Sequence, residues 1–415
     1  MNLLEKLQLL GPATCYEPAE EVGVGRLPQS PRAPADLSGC IHHAAMPGGK
    51  RIALLKTLLT SACERDCLYC PFRAGRDFRR ATFAPDELAR LFLQLHQRGI
   101  AEGIFLSSAL AGSGVRTQDR LIATAEILRR QYGFRGYIHL KIMPGAEREQ
   151  VAAAMALADR VSVNLEAPND RRLARLAPHK VFTEELLQRL RWIGALRRRM
   201  PGRRPSATTQ FVVGAAGESD LELLATTAFL YRQLGLARAY FSGFRPVPDT
   251  PLEDHPPTPP LREHRLYQAS FLLRDYGFGV EELPFDPDGN LPLGEDPKLA
   301  WAREHLAQAP VEVNRADRHA LLRVPGHPHT SANATALPCS PAWSPEHPRR
   351  QRKTYLLHNR LSAPVPYNLK EKHDRHRAEM PQAPHSLLEI LTGLGGLAVV
   401  ATGAHLTSHN LIDAG

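Results

Sequence analysis

Three cysteines crowd into eight residues, Cys63-Glu-Arg-Asp-Cys67-Leu-Tyr-Cys70, in a C-x3-C-x2-C spacing. Thiolates this close together bind metal. Iron–sulfur clusters are held by cysteine thiolates, and three ligands on a four-iron cluster leave one iron open to a further ligand. A structural zinc site is the competing chemistry. Zinc takes four ligands in a closed tetrahedron, usually from paired C-x2-C halves. One such half is present, with Cys40, His42 or His43 as candidates to complete it. A redox C-x-x-C is the weaker alternative, because Cys67 and Cys70 follow a third cysteine at fixed spacing. Six cysteines in 415 residues do not make a disulfide scaffold, so the chain is expected in a reducing compartment.

The elements that must position this loop follow from hydrophobic periodicity. Ile52 to Leu59 is an apolar run short enough for a buried strand, and the cysteine loop follows it directly. Next comes a helix, with Pro85 at its first position, Leu88, Leu91, Phe92 and Leu95 on one face, and Gly99 as its stop. The alternation then repeats. Strands are predicted at 104–107, 137–142, 161–165, 208–213 and 239–242, and helices at 119–131, 147–158, 183–199, 220–234 and 261–276. Such alternation implies a parallel sheet with helices outside it. Six units fall short of a full eight-stranded barrel and predict an α/β fold, a partial (β/α)6 TIM-like barrel. In such folds chemistry gathers at the C-terminal strand ends, which is where the cysteine loop falls.

The flanks read differently. Residues 1–50 form an irregular N-terminal extension, 51–284 the partial barrel, and 285–326 a linker with an incomplete helical appendage. Residues 327–415 read as an irregular or disordered tail. Half of the 18 histidines fall in these last 89 residues, and so abrupt a shift of composition suggests a changed reading frame. Met1 to Leu10 lacks the apolar core of a signal peptide. The apolar stretch from Ile390 to Ala404 is shorter than the ~20 residues a spanning helix needs. A cytoplasmic protein without a membrane segment is therefore expected. The formal net charge of +9 favours polyanionic partners, with a generally basic proteome as the plain alternative.

The cysteine spacing, with Tyr69 as the aromatic residue before the last cysteine, resembles the signature of the radical S-adenosylmethionine (SAM) superfamily. The likeness extends to Leu54–Thr60, Arg80-Ala-Thr-Phe83, Phe105-Leu-Ser-Ser108, Gly136–Lys141, Ser162-Val-Asn-Leu-Glu166 and Asp296–Trp301. Together these segments resemble one subfamily, the DNA modification/repair radical SAM proteins. That subfamily is linked to a uracil-DNA glycosylase-like protein and carries a C-terminal helix-hairpin-helix.

The resemblance implies a [4Fe-4S] cluster on Cys63, Cys67 and Cys70, with SAM on its open iron. An electron from a reductase, flavodoxin or ferredoxin would release a 5′-deoxyadenosyl radical, which abstracts hydrogen from the substrate. It also implies SAM contacts. Ser107 and Ser108 would meet the amino group, Asn164 and Glu166 the ribose hydroxyls, Lys141 the carboxylate or a substrate phosphate, and Val212 to Gly214 the adenine. Loop capping, a buried polar pair, a solvated lysine and a plain Gly turn are the respective structural alternatives. Arg245 ends the sixth strand as a candidate phosphate or substrate contact.

Asn314 to Gly326 resembles the first half of a helix-hairpin-helix, whose amides hold a backbone phosphate. The continuation His327-Pro-His-Thr330 has no second glycine, so the module breaks after Gly326. The leading expectation is radical SAM chemistry on DNA. RNA, a peptide or a small molecule is the enzymatic alternative, and a zinc-stabilised nucleic-acid-binding module the non-enzymatic one.

Overall fold

The computed structural model describes residues 1–12, 14, 37, 39–45, 51–202, 204–307, 309, 311–312 and 315–326. All of them lie within one unit, Met1–Leu361. Seven strands form one sheet in chain order: β1 (Ile41–Ala45), β2 (Arg51–Leu58), β3 (Gly103–Ser107), β4 (Tyr137–Lys141), β5 (Arg160–Ser162), β6 (Ser206–Val213) and β7 (Arg238–Gly243). Strands β2 to β7 run parallel, and β1 pairs antiparallel with β2. The helices between the strands are α2 (Pro85–Gln97), α3 (Gly114–Glu126), α4 (Arg148–Leu157), α5 (Asp170–Leu173), α6 (Gln188–Arg199) and α7 (Asp220–Leu234), with α8 (Pro260–Asp275) after β7. This is the expected partial barrel of six parallel strands, with one antiparallel strand added at its edge.

Strand side chains alternate between two faces. The outward set, including Leu55, Ile104, Leu106, Ile138, Leu140 and Val161, is buried in the main core under the helices. The inward set is more polar. Lys56 lies opposite Phe105, Phe105 opposite His139, and Lys141 opposite Ser162, and all five are buried. A parallel sheet covered on its outside by helices buries both faces, so the polar inner residues stand in a low-dielectric interior.

Several elements depart from the sequence reading. The first fifty residues contain α1 (Leu3–Leu10) and β1. Two turns of helix are marginal alone; α1 is held by an Asn2/Glu5 capping box and by burial of Leu7 and Leu10. Helix α3 begins at Gly114 rather than 119, because the Ser113 hydroxyl accepts the Arg116 N–H at 3.2 Å. The segments Ile127–Gln131 and Phe182–Leu187 are π-helical turns, a hydrogen-bonding change that periodicity does not encode.

Strand β5 stops at Ser162 rather than 165. Beyond it the Thr209 hydroxyl replaces a backbone group in the ladder, accepting the Leu165 N–H at 3.2 Å and donating to the Val163 carbonyl at 2.7 Å. Glu166 then rejoins β6 as a single bridge to Phe211, with φ +64°.

After the barrel, α9 (Pro297–His305) and α10 (Arg318–Arg323) follow. The residues expected to act as a linker are packed here: Trp301 meets Phe278 edge-on at 5.4 Å, and the Arg323 guanidinium lies 4.5 Å over Phe278 and 2.6 Å from Glu282. Asp317 caps α10 through the Ala320 N–H, and Gly326 has φ +77°. The hairpin continuation at 327–330 and the tail to 415 lie outside the described residues. No helix among the described residues is long and apolar enough to cross a membrane.

Candidate functional site

A cavity of about 550 Å³ lies at the C-terminal ends of the parallel strands. Its walls come from the end of β2 (Leu58), the cysteine loop, the residues after β3 (Ser108–Leu110), the end of β4 (Lys141–Pro144), Asn164 and Glu166, β6 (Gln210, Val212) and the end of β7 (Phe241–Pro246). Its volume falls in the range of small-molecule sites, ~300–1,000 Å³.

The cysteine loop has no regular structure, so its backbone groups are satisfied by neighbours. The Glu64 N–H goes to Leu110 O (2.9 Å), Leu68 N–H to Leu176 O (2.7 Å) and Ala74 N–H to Arg65 O (2.7 Å). Arg80 binds four loop carbonyls, those of Ser61, Phe72, Arg73 and Arg76, at 2.8–3.1 Å, with its guanidinium 4.2 Å over the Phe78 ring. Arg65 reaches across to Glu185 and the His179 carbonyl, both at 2.6 Å. All three cysteines line the cavity, and the Phe72 N–H donates to Cys70 Sγ at 3.4 Å.

Burial pushes the thiols of Cys67 and Cys70 up, and the neighbouring cysteines push in the same direction. As bare thiols Cys67 and Cys70 therefore give up their protons less readily than a free cysteine. A metal cluster removes those protons on binding, and the donor set of three thiols at one cavity suits that exchange. The zinc alternative needs its completing ligands at the same place. Instead, Cys40 is buried against α1, its thiol donating to Leu7 O at 3.6 Å, and His42 contacts Gly39 O at 3.3 Å. Among the described residues no three His, Cys, Asp or Glu side chains, the three cysteines included, are gathered as a single metal ion would require.

Beside the thiols lies a buried ion pair. Glu166 and Lys180 are 3.3 Å apart, with side chains 10% and 9% exposed. Burial opposes the Lys180 ammonium, yet Cys67, Glu166 and Cys70 outweigh it and hold its pKa above the ordinary lysine value. Burial also raises the Tyr69 phenol, and Glu166 adds to the effect. The left-handed backbone at Glu166, uncommon for a non-glycine residue, is clamped on both sides: its N–H donates to Gln210 O (3.0 Å) and its carbonyl accepts from Val212 N–H (2.8 Å). Asn164 donates to the Gln210 side chain at 3.4 Å.

Of the residues singled out in the sequence, Tyr69, Ser108, Lys141, Asn164, Glu166 and Val212 line the cavity with the cysteines. Asn164 and Glu166 share it as expected, though not from within a strand. Both lie beyond the end of β5, past the break in the ladder, and Glu166 adds a left-handed backbone to the expected two-residue spacing.

Two expected contacts do not line it. Ser107 is fully buried in β3, its hydroxyl without a hydrogen-bond partner. Gly214 turns away at φ +96°, its N–H donating to Glu218, and a Cβ there would strike the Thr258 hydroxyl. Lys180, Gln210 and Glu263 line the cavity without having been singled out. Gln210 stands two residues before Val212 on the same strand face, a signal the sequence does contain. Lys180 sits in a loop and offers none.

The fold and the three-thiol loop define a class. Residues 57–230 match the family model of the Radical SAM superfamily, so this part of the barrel is similar to a radical SAM domain, a family whose cofactors are a [4Fe-4S] cluster and SAM. Solved structures similar to it include methylornithine synthase (PylB), at 15% identity and TM-score 0.43 over 55% of this chain and 64% of that one. The FeFe-hydrogenase maturase HydG from Carboxydothermus hydrogenoformans is 14% identical, with TM-score 0.44 over 53% and 51%. The radical SAM methyltransferase TsrM from Kitasatospora setae, bound to tryptophan and a SAM analogue, is 17% identical, with TM-score 0.37 over 51% and 39%. The chain thus spans less than two thirds of each of these proteins. No curated protein sequence matches it.

Proposed function

We propose that Cys63, Cys67 and Cys70 hold the cluster, that Glu166 and Asn164 take the SAM ribose, and that the substrate is nucleic acid, DNA before RNA. The observation that carries the cofactor assignment is convergence: three thiols, a buried carboxylate–ammonium pair and an amide from three separate chain segments face one cavity. When bound, the cluster and SAM together supply a carbon radical able to abstract unactivated hydrogen. This chain's residues supply the rest. Lys180 balances the charge of nearby thiolates and of Glu166. Ser108, its own hydrogen donated to Ala109 O, offers an acceptor to the SAM amino group, Lys141 offers a donor to the SAM carboxylate, and Val212 gives the adenine an apolar floor.

The nucleic-acid assignment is supported by the net charge of +9 and by the likeness to the DNA modification/repair subfamily. The architecture around the cavity adds to it. Arg76 joins the cysteine-loop extension to the β7–α8 connection through Pro248 O (3.0 Å) and Asp249 (3.7 Å). On these two joined segments stand Arg79 and Arg245, both exposed. A flavodoxin- or ferredoxin-type donor and a uracil-DNA glycosylase-like partner belong to the same proposal. Anaerobic reconstitution followed by product analysis with DNA, RNA and no substrate tests it. Iron and sulfide in near-equal amounts, with a modified nucleoside appearing only with DNA, is the expected result. Sulfide-free protein holding one tetrahedral metal overturns the cofactor assignment, and a product formed without nucleic acid overturns the substrate.

A further inference from the structure

The cavity wall formed by the end of β7 carries a cation, Arg245, whose charge acts on the nearby Glu263 carboxyl without a direct hydrogen bond to it. Arg245 lines the cavity and is exposed, and among the described residues it makes no hydrogen bond, ion pair or ring contact. Deeper in the same wall, Glu263 reaches in from α8. One of its oxygens accepts the Gly243 N–H at 2.9 Å. A carboxylate has roughly four lone-pair sites, so accepting capacity remains beside this bond; burial pushes the carboxyl's pKa up, while the Gly243 N–H and Arg245 hold it down. Ser242 and Pro246 complete the wall.

Cation outside and acceptor inside make a polar gradient for a ligand with an anion at one end and a hydrogen-bond donor at the other. Arg recognises phosphate through a planar fork of donors, and carboxylates accept from exocyclic amino groups of bases. The cavity is of small-molecule size, about 550 Å³, and must hold SAM as well, which favours a single base over a base pair. Enzymes that act on a base inside a duplex meet the same constraint by extruding it.

Resting on the nucleic-acid reading above, we infer that this wall receives one unpaired nucleotide, its phosphate on Arg245 and the amino group of its base on Glu263. The ligand chemistry is a nucleotide. Its sources are a free nucleotide, a single strand, or a duplex that must open.

The test uses anaerobically reconstituted holoenzyme and fluorescence anisotropy with a labelled single-stranded oligodeoxynucleotide. Unlabelled single strand, its duplex and a mixture of deoxynucleoside monophosphates serve as competitors. Duplex should compete at least tenfold less well than single strand. Arg245→Ala should weaken single-strand binding about tenfold, Arg245→Lys should restore most of it, and the alanine variant should lower the slope of log K against log salt by about 0.7, one phosphate contact. Oligo-dC should bind several-fold better than oligo-dT. Glu263→Gln should narrow that gap, because an amide both donates and accepts. Iron and sulfide contents equal to the parent's show that each variant is folded.

Monophosphates competing as well as the strand assign the wall to a free nucleotide; the strand prevailing assigns it to a strand. Duplex and single strand binding equally, with Arg245→Ala without effect, overturns the inference and leaves the nucleic-acid reading standing. Binding of no nucleic acid at all overturns both.

Discussion

The two rims of the cavity are built to opposite specifications. On the cysteine side the chain is over-determined: one arginine holds four carbonyls, a second reaches Glu185 and His179 O, and loop amides find carbonyls in distant segments. On the β7 side an exposed arginine makes no hydrogen bond among the described residues, and its charge acts on a carboxyl that has a single backbone N–H as hydrogen-bond partner. A resident cofactor demands fixed ligand geometry, which surrounding hydrogen bonds must enforce. An exchangeable substrate needs groups that are free until it arrives. The contrast thus separates the part of the site that holds from the part that receives.

The strongest way to break this comparison is at the thiols. Replacing Cys63, Cys67 or Cys70 with Ala should abolish the cluster and, with it, SAM cleavage to 5′-deoxyadenosine. Iron and sulfide analysis with product chromatography measures both. Cleavage persisting in all three variants removes the cysteines from the site.

Next in size is the buried pair. Glu166→Ala leaves the Lys180 ammonium without its carboxylate in a site about 90% enclosed, and breaking such a pair costs ~3–5 kcal/mol. The expected outcome is a large fall in SAM affinity by equilibrium dialysis and a lowered melting temperature, with cluster content falling less. Equal loss of SAM and cluster would make Glu166 a purely structural residue.

Arg80 tests whether the holding rim is held as described. Arg80→Ala strips donors from four loop carbonyls. Hydrogen bonds from a charged donor contribute ~1.5–3 kcal/mol each in favourable cases, and water reclaims part of that at a half-buried site. We expect a loss of about 2 kcal/mol and slower cluster reconstitution, measured by denaturant unfolding and by the rise of visible absorbance. Arg80→Lys should not restore it, because one ammonium cannot span four acceptors.

These contrasts also explain what the sequence disclosed. The βα alternation was legible because apolar periodicity is a local property: the sequence places α7 at 220–234, the bounds it has in the structure, and β3, β4 and β7 to within one residue at each end. The three cysteines were legible because spacing is local too. Asn164 and Glu166 were found for an incomplete reason. Strand alternation placed them together; in the structure a hydroxyl inserted into the ladder and a left-handed residue accompany that spacing. Lys180 and Glu263 depend on tertiary contacts from a loop and from an outer helix, and no local pattern marks them. Ser107 and Gly214 show the converse error: their positions near strand ends were right, but one side chain is sealed inside the sheet and one turn faces away.

The smallest effect lies outside the cavity, where the holding rim is anchored to the helical layer. Glu222 on α7 accepts from Arg172 (2.8 Å), Asn169 (3.1 Å) and the Ser219 N–H (3.0 Å). It thereby fixes α5, and with it Leu176, whose carbonyl holds the Leu68 N–H of the cysteine loop. Burial alone would raise this carboxyl, but Arg172, the Ser219 amide and Asn169 outweigh it and pull its pKa down to about 2. A carboxyl depressed in the folded state contributes stability that is fully present above its unfolded value, near 4.5, and lost as the pH falls toward about 2. The contribution is about 1 kcal/mol, the scale of a partly exposed pair. Glu222→Gln should therefore lower the urea midpoint at pH 7 and flatten its decline between pH 4.5 and 2. If the variant and parent declined in parallel through that window, Glu222 would not be the group that ties α5 to α7, and the firmness of the cysteine rim would have to come from Arg80 and Arg65 alone.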